Sequence, residues 1–188
     1  MKKGIVLITL MICAGQTFAQ TLYKEVESRS GGTDLVGNFS PDRLKSEPFA
    51  EWFQTFYDYH EIDEAQLKKF EADLKQYHIL VFMGTWCSDS QREIPALMKI
   101  LEKAAFPPEQ LKIIGVYDKG PFYKTSPNGE HWGLQIKMVP TIIFLKDGKE
   151  VNRIVESPVE SLEKDIGKIS SGAEYLPNYA ELMRSEQP

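Results

Sequence analysis

The sequence predicts an α/β fold, a central mixed sheet flanked by helices, preceded by an N-terminal helical extension. Three observations carry this. His78 to Met83 is a nearly continuous apolar run, the pattern of a parallel strand covered on both faces. Residues 141–145 and 151–155 read as strands flanking Lys146-Asp147-Gly148-Lys149, and Asp-Gly supplies the positive backbone angles of a tight hairpin turn. Between and after these runs, Ile94, Leu97, Met98 and Leu101, then Leu162, Ile166 and Ile169, recur at helical spacing.

The elements follow in order. Residues 1–19 read as a secretory signal: a basic Met1-Lys2-Lys3, an apolar stretch over 5–14, and Thr17-Phe18-Ala19 before Gln20. The stretch is too short for a stable membrane span, and bulky Ile12 before Cys13 disfavours a lipoprotein anchor. Export to a periplasm or beyond the cell is the expectation, with Cys87 left as the single cysteine of the mature chain. Residues 20–77 form the extension. Over 20–39, Gly31-Gly32 and Gly37-Asn38 among polar residues read as a mobile or loosely docked segment. Ser40-Pro41 is a helix start, and Pro48 suggests a restart. Phe49, Trp52, Phe53, Phe56 and Tyr57 then share one face, a stripe for packing rather than a client groove. Asp63 with Gln66 three residues on opens a second helix carrying Leu67, Phe70, Leu74 and Tyr77.

Residues 78–172 form the principal domain. The helix over 88–105 contains Pro95, which removes a hydrogen bond and kinks it. Residues 111–117 read as the next strand and 120–129 as a loop insertion, with a short helix expected around 131–136. A closing helix is expected over 159–169. In the tail, 173–188, Tyr179, Leu182 and Met183 suggest a docked helical turn or two.

Composition bounds the partners. The 188-residue chain is 42% hydrophobic and 26% charged, ordinary for a packed domain. Its formal charge is −5, or about −7 without Lys2 and Lys3. An acidic chain without a basic block is a poor nucleic-acid binder. His60, His78 and His131 lack metal-ligand spacing. No Gly-rich phosphate loop or Gly-x-Ser-x-Gly elbow occurs, so neither cofactor nor metal is expected.

The chemistry concentrates at Trp86-Cys87-Ser88-Asp89-Ser90, directly after the first strand, and at Met138-Val139-Pro140-Thr141, directly before a later one. Cys87 falls at a helix N-terminus, where unpaired N–H groups and the helix dipole favour a thiolate. Asp89 opposes it, and the two effects nearly cancel. Ser88 and Ser90 are within reach of the sulfur by sequence. Residues about 78–170 resemble a thioredoxin domain in the order and spacing of these motifs, with Pro95 eight positions after the thiol where thioredoxins place a kinking proline. The resemblance implies a thioredoxin-like fold, Cys87 as nucleophile flanked by Trp86 and Ser90, a cis Pro140, and a client-docking segment at Val139, Pro140 and Thr141.

Two departures from that family matter. Ser90 stands where the resolving cysteine is usual, and Val81 stands where thioredoxins commonly bury an acid, six positions before the thiol. The motif is therefore Cys-x-x-Ser, monothiol, and no internal dithiol cycle is expected. The expectation is thiol-disulfide exchange with client proteins carrying thiols or disulfides, released by an external thiol or redox partner. The rival is a noncatalytic thioredoxin-fold module that binds peptides or proteins. Gly84, three positions before the thiol, argues against peroxiredoxin chemistry, and Cys-Ser-Asp-Ser does not match monothiol glutaredoxins.

Overall fold

The computed structural model describes residues 23–184. The signal-peptide reading and Cys13 lie outside the described residues, among which no helix is long and apolar enough to cross a membrane. The principal strands fall where the sequence puts them: β3 (His78–Met83), β4 (Leu111–Gly115), β5 (Thr141–Lys146) and β6 (Lys149–Val155). So do the helices α1 (Ala50–Tyr59), α2 (Glu64–Leu74), α3 (Ser88–Lys103) and α4 (Leu162–Ser171). Asp147 (φ 51°) and Gly148 (φ 74°) make the β5–β6 turn. The Asp63 side chain caps α2 by accepting the Gln66 N–H. The helix expected around 131–136 is a series of turns, because Gly129 and Gly133 both adopt positive φ and break any helical run. The tail contributes α5 (Ala180–Arg184).

Of the segment read as loosely docked, the described residues 23–39 are not loose. They contain a β-hairpin, β1 (Tyr23–Glu27) and β2 (Thr33–Phe39), which joins the sheet through β4. The strand order is β1-β2-β4-β3-β5-β6, with β3 and β4 parallel and every other pair antiparallel. Gly31 (φ 87°), read as a mark of looseness, forms the hairpin turn, closed by the Ser28 N–H on the Gly32 carbonyl at 2.8 Å. Leu35 and Val36 are fully buried, so the extension shares the sheet and core of the principal domain.

The sheet has two differently covered faces. Ile79, Val81 and Met83 of β3 point into a large cluster with Phe49 at the N-cap of α1 and Phe53 within it, Leu67, Phe70 and Leu74 of α2, Ile94 and Leu97 of α3, and Ile166 of α4. The aromatic stripe of α1 is therefore core, with Phe49 and Phe53 buried and Trp52 and Tyr57 packed against them. Phe82, on the alternate face, joins Ile114, Val116, Val139 and Ile143, covered by Trp86, Cys87, Leu134 and Ile136. The thiol site roofs this smaller cluster.

The join of hairpin to sheet depends on Gly115. An added Cβ there would lie 2.0 Å from the Leu35 carbonyl oxygen, so β2 and β4 approach in a way that only glycine allows. Gly115→Ala should lower stability by about 2–3 kcal/mol, a fall in Tm of roughly 5–10 °C for a chain of this size. A thermal melt unchanged by the substitution would show that the hairpin docks less tightly than described.

Candidate functional site

The end of β3 delivers the chain into a tight loop, 84–87, closed by the Cys87 N–H on the Gly84 carbonyl at 3.0 Å. Gly84 is required there because an added Cβ would stand 2.4 Å from Cε2 of the Trp86 indole, which lies over it. The indole Nε1–H donates to the Val116 carbonyl at 3.1 Å, and its ring meets that of Tyr123, with centroids 5.6 Å apart. Trp86 is thus clamped between the sheet end and the loop insertion.

Cys87 is the N-cap residue of α3, with extended backbone (φ −93°, ψ 122°), partly exposed and unpaired. Its Sγ donates to the Val139 carbonyl at 3.2 Å, a bond that only the protonated thiol makes. The Val139–Pro140 peptide is cis. Beyond it the Thr141 hydroxyl donates to the Met138 carbonyl at 2.7 Å and braces the start of β5.

Of the sequence-derived site residues, the structure gathers Trp86, Cys87 and Val139 into one cluster, with Pro140 adjacent in the chain. Thr141 is buried and shapes the segment from behind. Ser90 is elsewhere engaged: fully buried, its Oγ accepts the Gly84 N–H at 3.3 Å and so braces the loop. Asp89, read as facing the thiol, is paired instead with Arg92, which lies 2.8 Å from its carboxylate and 2.8 Å from that of Glu93.

Several residues of the site were not foreseen. Gln91 Nε2 donates to the Thr85 carbonyl at 2.7 Å. The Thr85 hydroxyl accepts the Leu35 N–H at 3.1 Å and donates to Asp34 Oδ1 at 3.0 Å, tying the loop to β2. Burial pushes the Asp34 carboxyl above the usual carboxylate range, opposed in part by the Thr85 and Ser28 hydroxyls and helped by the charge of Asp118. A cleft of 280 Å³ opens beside the site, lined by Ser28, Arg29, Ser30, Trp86, Asp118 and Tyr123. Neither Asp34 nor Tyr123 had a motif to mark it; they arrive by strand pairing and by the loop insertion. His60 is engaged by Glu163 at 2.8 Å and His131 by Ser126 at 2.9 Å. Among the described residues, no three His, Cys, Asp or Glu side chains are grouped to hold a metal ion.

A mixed sheet flanked by helices, with a thiol at the N-terminus of α3 facing a cis X-Pro segment, is a thioredoxin-like fold. The chain is similar to Thioredoxin H-type 1 of Nicotiana tabacum, 25% identical over 115 residues that cover 61% of this chain and 83% of that protein. No family model matches. Among solved structures it matches a protein of unknown function from Pseudomonas aeruginosa with 16% identity and a TM-score of 0.45, covering 66% of this chain and 82% of the other.

Proposed function

We propose that this is an exported, monothiol thioredoxin-like protein that exchanges disulfides with client proteins through Cys87. Its distant similarity to a thioredoxin supports a redox role of that kind. The observation that carries the reading is the Cys87 thiol, partly exposed at a helix N-terminus, bonded to the carbonyl of the cis Val139–Pro140 segment and without a second cysteine among the described residues. In the exchange, Cys87 first loses its proton to solvent, and the thiolate attacks one sulfur of a client disulfide. The client S–S bond breaks as the mixed disulfide forms, and the departing sulfur leaves as a thiolate that takes up a proton. An external thiol then attacks the mixed disulfide and returns Cys87 to its reduced form. Net oxidation state is conserved between the two thiol–disulfide pairs. When Cys87 leaves the Val139 carbonyl, the backbone of that segment becomes available to an extended client strand.

Mass spectrometry of the Cys87 peptide, from protein purified out of its native compartment under acid quench, tests this. A substantial fraction joined to glutathione or to client peptides, lost on reduction, is expected. A thiol found wholly free under oxidising growth would overturn the reading.

A further inference from the structure

The connection between β4 and β5 carries three exposed aromatic rings, Phe122, Tyr123 and Trp132, and each is held in place. Tyr123 meets Trp86 at 5.6 Å between centroids, Phe122 meets Tyr117 at 5.8 Å, and Trp132 meets His131 at 6.3 Å. Trp132 is 78% exposed, yet its indole lies over Gly129, where an added Cβ would stand 2.8 Å from Cδ2. The backbone beneath is pinned as well. The Tyr117 N–H donates to the Thr125 carbonyl at 3.0 Å, the Lys124 N–H to the Tyr117 carbonyl at 2.9 Å, and the Ser126 N–H to His131 Nδ1 at 3.0 Å. Apolar rings fixed in advance and left in water have already lost the rotamer freedom that binding would otherwise cost, and clustered exposure of this kind marks an interaction surface.

The charge around these rings is opposite to that of the chain, whose formal value is −5. A cleft of 410 Å³ lies between Lys24 of β1 and the rings of Phe122, His131 and Trp132. The 280 Å³ cleft places Arg29 of the hairpin beside Trp86 and Tyr123. Lys124 holds its ammonium 5.1 Å from the centre of the Tyr123 ring, and Lys119 is exposed in the same connection. The acids nearby are engaged or turned away. Asp118 is buried and accepts the Ser28 hydroxyl at 3.4 Å, and Glu130 accepts the Asn128 amide at 3.0 Å. Strand alternation puts Glu25 and Glu27 on the face of β1 opposite Lys24, where Glu25 pairs with Arg43 at 2.8 Å.

We propose that this aromatic, cationic face docks an acidic stretch of client polypeptide bearing large apolar side chains, next to the cysteine that reacts with Cys87. This deepens the reading of Cys87 as the working thiol and rests on it. The face is continuous with the thiol site through Trp86, which precedes Cys87 and touches Tyr123. Apolar client side chains fill the two clefts, and client carboxylates meet Lys24, Arg29, Lys119 and Lys124, so the surface selects clients by charge and speeds their encounter. Docking alone is reversible, so a nonreducing gel still reports only the covalent step.

The test uses Cys87→Ser protein and a fluorescent, cysteine-free peptide of alternating glutamate and phenylalanine, followed by anisotropy. It should bind at least about tenfold more tightly than its counterpart with lysine for glutamate, a margin that narrows as salt is added. Trp132→Ala, with Tm unchanged, should weaken it at least about tenfold, and Lys24→Glu should narrow the margin between the two peptides. Equal binding of the two peptides, or wild-type affinity in folded Trp132→Ala, would overturn the proposal. So would an oligonucleotide bound as tightly as the acidic peptide, or self-association of the free protein lost in Trp132→Ala, which would make a second copy the occupant. Wild-type protein mixed with a disulfide-bearing version of the acidic peptide separates the two readings: binding without a mixed disulfide would leave the docking surface standing and remove the thiol mechanism.

Discussion

Ser90→Cys should turn a near-silent protein into an insulin-type disulfide reductase, raising activity at least about tenfold over background. Ser90 is three residues after the N-cap on the same helix, and its side chain already points at the loop that carries Cys87, since its Oγ reaches Gly84 N at 3.3 Å. Side chains at that spacing are about 5–6 Å apart between Cβ atoms in a regular helix, and the extended N-cap backbone of Cys87 lets the first thiol turn toward the second. Intact mass should show the loss of two hydrogens, restored by reductant. The substitution removes the Ser90–Gly84 hydrogen bond, a loss of about 1 kcal/mol that the disulfide offsets in the oxidised form. Wild-type activity equal to that of a dithiol thioredoxin would mean that another resolving route exists and that the monothiol mechanism is wrong.

How much of this was legible in the sequence depended on whether the signal was local. The β3 run, the Asp147-Gly148 turn, the Asp63 cap and the Cys87 N-terminus are each written in a few adjacent residues, and each was found at its place. The β1–β2 hairpin was not, because β2 is inserted between β1 and β4 and buries four consecutive residues, Asp34 to Gly37. Burial on both faces erases the alternation by which a half-buried strand is recognised, and Gly37 and Asp34 look like loop residues unless the partner strand is known. Within the site, motif order located Trp86, Cys87 and Val139. Ser90's brace on Gly84 and the tie from Thr85 to Asp34 depend on side-chain direction and on strand pairing across fifty residues, which spacing alone does not encode. The extension was expected to be mostly helical, and its helices α1 and α2 are as read; its contribution to the site comes through the strand that was missed.

Cys87→Ser should abolish every reductant-sensitive, high-mass species formed by the protein on nonreducing gels, while wild type shows them in its native compartment. Mixed disulfides should accumulate in wild type because Ser90 cannot resolve them from within the motif. The fold should survive: Cys87 makes no side-chain cap bond at the start of α3, and serine can supply one, so stability should hold or rise by about 0.5–1 kcal/mol. Any loss of clients is then a loss of chemistry. The noncatalytic alternative predicts the opposite outcome. Phe49 and Phe53 are core residues, whereas Phe122 and Tyr123 of the loop insertion and Trp132 just after it are 61%, 46% and 78% exposed, and Tyr123 lies against Trp86. If Cys87→Ser kept full client capture, and alanine at those three aromatic positions abolished it without lowering Tm, the thiol would be incidental and the protein would be a binding module.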